Sequence, residues 1–282
     1  MMSVNVLSAI ATIVKSPIGE LKSFYTSRNR ANNMGDALEN YIMDVFANTL
    51  DETNEQRRLE IIDQIFSYKG NQNNPPDMIV RQGDAIEVKK IENSGAALPL
   101  NSSYPKAKLY SCSPMITKTC RSCEDWKEKD ILYSVGVVND EHLTKLFFVY
   151  GIDYAASAEI YERIRTVISS GIEEITDVEL AETKELGRVN RVDPLGVTCL
   201  RIRGMWHIEN PAKVFSYVYT PVDNSFEFTA VINNEKYYSF PSNDRLVLEK
   251  MVDGSFNISD VKIKTPDNPA VLKGAKLITY SR

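Results

Sequence analysis

Three ionisable side chains lie within thirteen residues of one another. They are Asp77, which follows Asn74-Pro75-Pro76, and the two charged members of Glu87-Val88-Lys89. Between them, the apolar runs Met78-Ile79-Val80 and Ala85-Ile86 flank Arg81-Gln82-Gly83-Asp84, which predicts a β-hairpin. Each proline fixes φ and lacks a donor, so Asp77 is expected to open the first strand and not to sit inside it. A left-handed Gly83 closing the three-residue loop Arg81-Gln82-Gly83 would set Val80 opposite Asp84 and Asp77 opposite Glu87. Side-chain alternation then puts Glu87 and Lys89 on one face and Ile86, Val88 and Lys90 on the other. Two neighbouring carboxylates repel unless a hard cation lies between them, and oxygen-only ligands favour Mg²⁺, with Mn²⁺ as the alternative. Asp77, Glu87 and the backbone carbonyl of Val88 would be the protein ligands. Lys89 would sit where it can orient or deprotonate a water for attack on a phosphodiester. The competing reading is a solvated hairpin with its charges on the wet face. The apolar strand around Glu87 and Lys89 favours a buried site.

Pro-Asp, a short spacer and Glu-x-Lys in this order resemble the active-site signature of the PD-(D/E)XK nucleases. The resemblance implies catalytic roles for Asp77, Glu87 and Lys89. In that superfamily a carboxylate on the helix before the hairpin often serves as an extra ligand for metal or water. Glu39 holds that place, one step off the helical stripe Leu38, Tyr41, Ile42, Val45 and Phe46. Read from its spacing alone, Glu39 is equally a surface residue at the edge of the stripe.

The elements that must position these groups belong to an ordinary globular chain: 282 residues, 43% hydrophobic and 25% charged. A formal net charge of -5 excludes a histone-like positive coat, so any nucleic-acid binding must come from a local basic surface. Cys112, Cys120, Cys123 and Cys199 lack the paired spacing of a zinc module; reduced thiols are the default and zinc the alternative. The run from Val4 to Val14 has no basic start and is too short to span a bilayer, which leads to the expectation of a cytoplasmic protein.

Helices are expected over residues 3–15, 18–27 and 54–67, with a further one beginning after Asn32-Asn33. A loop over 68–74 should deliver the chain to Asp77. Asn101, Ser102, Ser103 and Lys106, close behind the hairpin, suit phosphate contact, against the plainer reading of a solvated loop. Apolar runs at 131–138 and 143–150 read as central strands, and 155–169 as a helix flanking the sheet with Tyr161, Ile164 and Ile168 on one side. The acidic stretch 171–187 precedes one holding Arg188, Arg191, Arg201 and Arg203. Those arginines, with Arg28 and Arg30 upstream, suit guanine edges or phosphates. Alternatively they form a half-exposed sheet paired with the acids of 171–187. Strands at 215–219, 226–232 and 277–280 surround a helix at 244–251. The expected architecture is α/β, a mixed central β-sheet flanked by helices with a β-rich C-terminal region.

A further set of motifs is more specific. Asn29-Arg30-Ala31-Asn32-Asn33-Met34-Gly35-Asp36, Gly70-Asn71-Gln72-Asn73-Asn74-Pro75-Pro76-Asp77, Leu100-Asn101-Ser102-Ser103-Tyr104-Pro105-Lys106, Cys120-Arg121-Ser122-Cys123-Glu124-Asp125-Trp126 and Arg203-Gly204-Met205-Trp206-His207 together resemble the NgoPII-type family of type II restriction endonucleases. The resemblance implies a single restriction-endonuclease-like domain over residues 1–282. Within it, residues 1–67 would be helical, 68–170 would form the catalytic core and 171–282 a DNA-reading, β-rich region. It further implies Mg²⁺-dependent double-strand cutting of DNA at a short palindrome, GGCC or a relative of it. A cognate DNA methyltransferase would share the same prokaryotic cell without direct contact. Palindromic symmetry favours a homodimer. The rival readings are a structure-specific repair or junction-resolving nuclease, and a DNA-binding protein that keeps the fold without the chemistry. A carboxylate-pair glycosidase is disfavoured by the neighbouring lysine.

Overall fold

The computed structural model describes residues 3–26, 34–71, 74–222 and 224–282. Four helices lead: α1 (Val6–Lys15), α2 (Leu21–Thr26), α3 (Met34–Ala47) and α4 (Glu55–Ile65). Asn5 caps α1 by accepting from the amides of Leu7 and Ser8, while the Ser8 hydroxyl accepts from the Asn5 amide. The α1 side chains Leu7, Ile10 and Ile13 are buried, as are Leu38, Tyr41, Ile42 and Val45 of α3. Asp44 gathers α2, α3 and α4 by accepting from Tyr25 at 2.8 Å and from the buried Arg58 at 2.6 Å.

After α4 come β1 (Phe66–Asn71), β2 (Asn74–Val80), β3 (Ala85–Ile91), β4 (Leu98–Pro99) and β5 (Lys108–Tyr110). The short helix α5 (Lys118–Arg121) precedes the long strands β6 (Glu128–Asn139) and β7 (His142–Tyr150). Next are α6 (Gly151–Tyr154), α7 (Ala158–Glu173), β8 (Glu179–Leu180), β9 (Gly187–Asn190), β10 (Leu200–Ile202) and β11 (His207–Ile208). The chain closes with α8 (Pro211–Val214), β12 (Glu227–Asn233), α9 (Asn234–Ser239), α10 (Ser242–Glu249), β13 (Phe256–Lys264) and β14 (Leu272–Ser281).

The central sheet runs β1-β2-β3-β6-β7-β12-β14-β13, with β5 also paired to β6. It is mixed, because β3–β6 and β7–β12 are parallel and the other pairs antiparallel. Both faces of its middle strands are covered, hence their continuous apolar runs. Ile86, Val88, Leu132 and Phe148 join the core under α1 and α3, while Ala85, Ile131, Tyr133 and Val135 join a second core on the other face. Phe256, Ile278 and Tyr280, from the C-terminal strands, lie in the same cluster as the N-terminal helices. A separate three-stranded sheet, β10-β9-β8, carries the arginine-rich stretch.

Several elements differ from expectation. Residues 66–71 form a strand, where a helix end and a loop were expected, because β1 is a short edge strand with Ser, Lys and Gly and little alternation. Residues 215–219 continue from α8 as turns. Asn210 caps that helix, and Phe215 and Tyr219, four residues apart, both enter the second core. The helix expected at 155–169 begins at Ala158 and has no buried residue; Ile164 and Ile168 are 42% and 46% exposed, and Ile172 near its end packs against Gly187 of β9. The edge strand β13 had no predicted counterpart, its inward residues being interleaved with Ser259, Asp260 and Lys262.

Candidate active site

The hairpin has the register that its loop length predicts. Met78 pairs with Ile86 and Ile79 with Ala85. Val80 donates to the Asp84 carbonyl at 2.9 Å, and Gly83 donates to the Val80 carbonyl at 2.8 Å. The left-handed residue is Gln82, φ 56°, and not Gly83. Asp77 also lies in the middle of β2, not at its start. The reason is that Asn74, upstream of the prolines, still pairs with Asn71 of β1; Pro75, Pro76 and Asp77 fall in an irregularity of that ladder and β3 pairs no further than Met78, so the prolines forfeit no bond.

Beyond Met78 a side chain replaces the ladder. Asp77 Oδ2 accepts the Val88 amide at 2.6 Å, and this holds the carboxylate across the mouth of the hairpin beside Glu87. Lys89 Nζ donates to Glu87 Oε1 at 2.6 Å, and Glu87 Oε2 is buried without a hydrogen-bond partner. On the other side of β3 the parallel register places Glu87 against Tyr133 and Lys89 against Val135. Asp77, Glu87 and Lys89 line one cleft with Asn101, Ser102, Ser103 and Lys106.

Electrostatics follow from this crowding. Burial pushes the Asp77 carboxyl well above the usual aspartate range, and Glu87 and Glu39 add to the effect against the pull of Lys89 and the Val88 amide. Burial alone would lower the Lys89 ammonium, but the Glu87 and Asp77 carboxylates outweigh it and hold the group above the ordinary lysine value. Glu39, half-buried on α3, is raised by burial and by Asp36, with Lys89 and Glu87 also acting on it.

An orphaned buried carboxylate oxygen beside a second carboxylate suits a hard divalent cation. Among the described residues no group of three or more His, Cys, Asp or Glu is arranged to hold a metal. The carboxylates that meet in this cleft are the two of Asp77 and Glu87. All four cysteines are free thiols, Cys120 buried and Cys112 and Cys199 exposed.

Backbone fit at this point is tight. A Cβ on Gly70 of β1 would lie 2.4 Å from the Pro76 carbonyl oxygen and 3.0 Å from that of Asp77. Gly70→Ala is expected to displace Asp77, lowering any hydrolytic rate about 100-fold and stability by about 1–3 kcal/mol. Single-turnover kinetics and denaturant melts would check this; an unchanged rate would show that Asp77 needs no such seat.

A family model for the NgoPII restriction endonuclease matches residues 4–264. The chain belongs to the NgoPII restriction endonuclease family. It is 51% identical over 278 residues to the type II restriction enzyme NgoPII of Neisseria gonorrhoeae, covering 98% of this chain and 99% of the relative. It is a type II restriction endonuclease, a site-specific deoxyribonuclease. No solved structure matches it.

The arginine-rich sheet of this endonuclease is a second location, apart from the cleft lining. Arg201 and Arg203 both ion-pair with Glu185, Arg201 at 2.7 Å, and Arg191 pairs with Glu179 at 3.4 Å. Arg188 bonds Asn190 at 3.1 Å. Arg28 and Arg30 lie outside the described residues. Sequence reasoning passed over the groups that join sheet and cleft. The Trp206 amide donates to the Asn101 carbonyl at 2.7 Å, and the Leu100 amide to the Trp206 carbonyl at 2.8 Å. Tyr133 accepts the Lys106 amide at 2.7 Å. Alternation along β6 puts Tyr133 on the face of Glu87, a signal available in sequence; the Trp206 contact carries none. Among the described residues no helix is long and apolar enough to cross a membrane.

Proposed function

We propose that this endonuclease makes double-strand breaks at a short palindrome, GGCC or a relative of it, as a homodimer with one cleft per strand. The observation that carries the catalytic assignment is the buried, unpartnered Glu87 oxygen beside Asp77 in an oxygen-lined cleft. Asp77, Glu87 and the Val88 carbonyl would hold Mg²⁺, with Mn²⁺ as a substitute. A divalent ion so held supplies charge neutralisation to the phosphoryl oxygens.

This chain's own residues do the rest. Lys89, bonded to Glu87 in the cleft, orients the attacking water or helps deprotonate it, and offsets phosphate charge. The water gives up a proton to Lys89 or to surrounding solvent as its oxygen bonds to phosphorus and the P–O3′ bond breaks, and the departing O3′ takes a proton from a second solvent water, leaving a 5′ phosphate and a 3′ hydroxyl. Asn101, Ser102, Ser103 and Lys106 contact the backbone near the cut. Arg188, Arg191, Arg201 and Arg203 contact bases or phosphates further off, and Arg28 and Arg30 are assigned to DNA contact from the sequence alone. Ion pairs as exposed as those on Glu185 are screened by solvent and weak, so phosphate can replace the carboxylate at little cost. In a prokaryotic cytoplasm, a cognate methyltransferase acting on the same sequence would protect host DNA.

Incubation of the protein with Mg²⁺ and a sequenced plasmid, followed by mapping of the ends, tests this. Discrete fragments sharing one sequence at their termini are expected. Cutting only at branched or damaged DNA would favour a structure-specific nuclease, and no cutting with any divalent metal would favour a silent DNA-binding protein. Glu39 is assigned to the surroundings of the ion, not to its direct ligands. Glu39→Gln is accordingly expected to raise the Mg²⁺ concentration for half-maximal rate about 10-fold; an unchanged metal titration would return Glu39 to the edge of the α3 stripe.

A further inference from the structure

Two polar groups in the catalytic cleft have so far been given only a general contact with the DNA backbone near the cut, with no part in the reaction itself. Lys106 is 7% exposed, and its Nζ, 4.6 Å from the centre of the Tyr104 ring, makes no ion pair with any described carboxylate. Burial draws its ammonium below the ordinary lysine value, with Glu87 and Glu162 pulling weakly the other way. The Ser103 hydroxyl oxygen is buried without a hydrogen-bond partner. Both residues line the cleft that holds Asp77, Glu87 and Lys89. A buried cation without an acid and a buried hydroxyl without a partner are each costly unless something outside the chain completes them.

Their position is built, not incidental. The Lys106 amide is fixed to the Tyr133 hydroxyl at 2.7 Å, and Tyr133 stands against Glu87 in the β3–β6 register. Behind it, a Cβ on Gly151 would come within 2.2 Å of the Lys106 carbonyl oxygen, so α6 packs on this backbone without slack. Ser103 closes a turn through its amide and the Leu100 carbonyl at 3.2 Å, in which Asn101 takes φ 53°, and the turn hangs from Trp206 by two backbone bonds. Lys89, by contrast, is already engaged by Glu87 at 2.6 Å. The cleft therefore presents a cation and a hydroxyl donor with no internal acceptor, complementary to an oxygen-rich monoanion.

We propose that Ser103 and Lys106 form a phosphate seat that binds a non-bridging oxygen of the phosphodiester being cut, separately from the carboxylate pair. This rests on the nuclease reading above and assigns these two residues to the reacting phosphate itself, not to a neighbouring one. Lys106 supplies the charge and Ser103 the hydrogen bond, and Tyr133 keeps both in step with Glu87.

The test compares two duplexes carrying the mapped cleavage site in Ca²⁺, one natural and one with a neutral methylphosphonate at the scissile position. The wild-type preference for the natural duplex is expected to fall about 10-fold in Lys106→Met and about 3-fold in Ser103→Ala, as for loss of one charge-assisted and one neutral hydrogen bond. In Mg²⁺ the single-turnover rate of Lys106→Met should drop about 100-fold, with Lys106→Arg partly restoring it. Equal weakening on both duplexes by the small Ser103→Ala change, or an unaltered preference in both variants, would overturn the seat. If wild type cuts the plasmid while the variants keep the full preference, only the seat is wrong. If wild type never cuts, the nuclease reading falls first.

Discussion

Lys89→Ala is expected to reduce DNA cutting in Mg²⁺ by at least about 10³-fold, while specific binding in Ca²⁺ changes little. The ammonium bonds a carboxylate oxygen within the cleft at 2.6 Å, and two acids keep it charged. Its removal takes away the cation proposed to face the reacting phosphate and leaves the hairpin's backbone pairing and the Asp77–Val88 bond in place. Single-turnover rates and gel-shift titrations separate the two effects. Mg²⁺-dependent cutting that survives in the variant would reject the role given to Lys89.

Asp77→Asn should be equally damaging to cutting and yet stabilise the metal-free protein. The Asp77 carboxyl is raised by burial and by Glu87, so its ionised form is disfavoured in the fold. Relative to the unfolded chain, this group favours folding most below the ordinary aspartate value, and that advantage is lost as pH rises through the raised folded value. At neutral pH in EDTA the asparagine variant escapes the penalty, while its side-chain oxygen can still accept the Val88 amide. A gain of about 1 kcal/mol is expected, which is a few degrees in Tm. Ca²⁺ should then raise the Tm of wild type much more than that of the variant. Thermal melts with and without Ca²⁺ across pH would check the pair; a variant less stable than wild type in EDTA at neutral pH would contradict the assignment.

The features of this structure that were legible in sequence are those governed by neighbours in the chain. The spacing of Arg81-Gln82-Gly83 fixes the hairpin register, and continuous apolar runs mark β6 and β7 because both of their faces are covered. Prolines suggested that Asp77 begins its strand, because nothing local shows that Asn74, upstream of them, still pairs with β1 or that β3 pairs no further than Met78. The amphipathic pattern of α7 predicted burial, but whether a partner exists for an apolar stripe is not encoded in its period, and Ile164 and Ile168 remain largely exposed. The run of Phe215 to Tyr219 has the composition of a strand; only the Asn210 cap upstream points to a helix.

The site divides the same way. Period-2 alternation puts Glu87 and Lys89 on one face, and the hydroxyl and lysine content of 101–106 suggests phosphate contact. That this loop shares a cleft with the hairpin depends on Tyr133, Gly151 and Trp206, residues 27 to 106 positions away from the groups they hold. For the arginines both sequence readings stayed open, and in the free chain the acids of 179 and 185 occupy three of them.

The central claim is that two carboxylates from adjacent strands, with the Val88 carbonyl, hold one divalent ion at the cut phosphate. An anomalous-scattering map of the protein crystallised with a cognate duplex and Mn²⁺ examines it directly. A peak contacting Asp77, Glu87 and the Val88 carbonyl is predicted. A peak elsewhere with that cleft vacant, or an ion held by the acids of the 171–187 stretch, would contradict it.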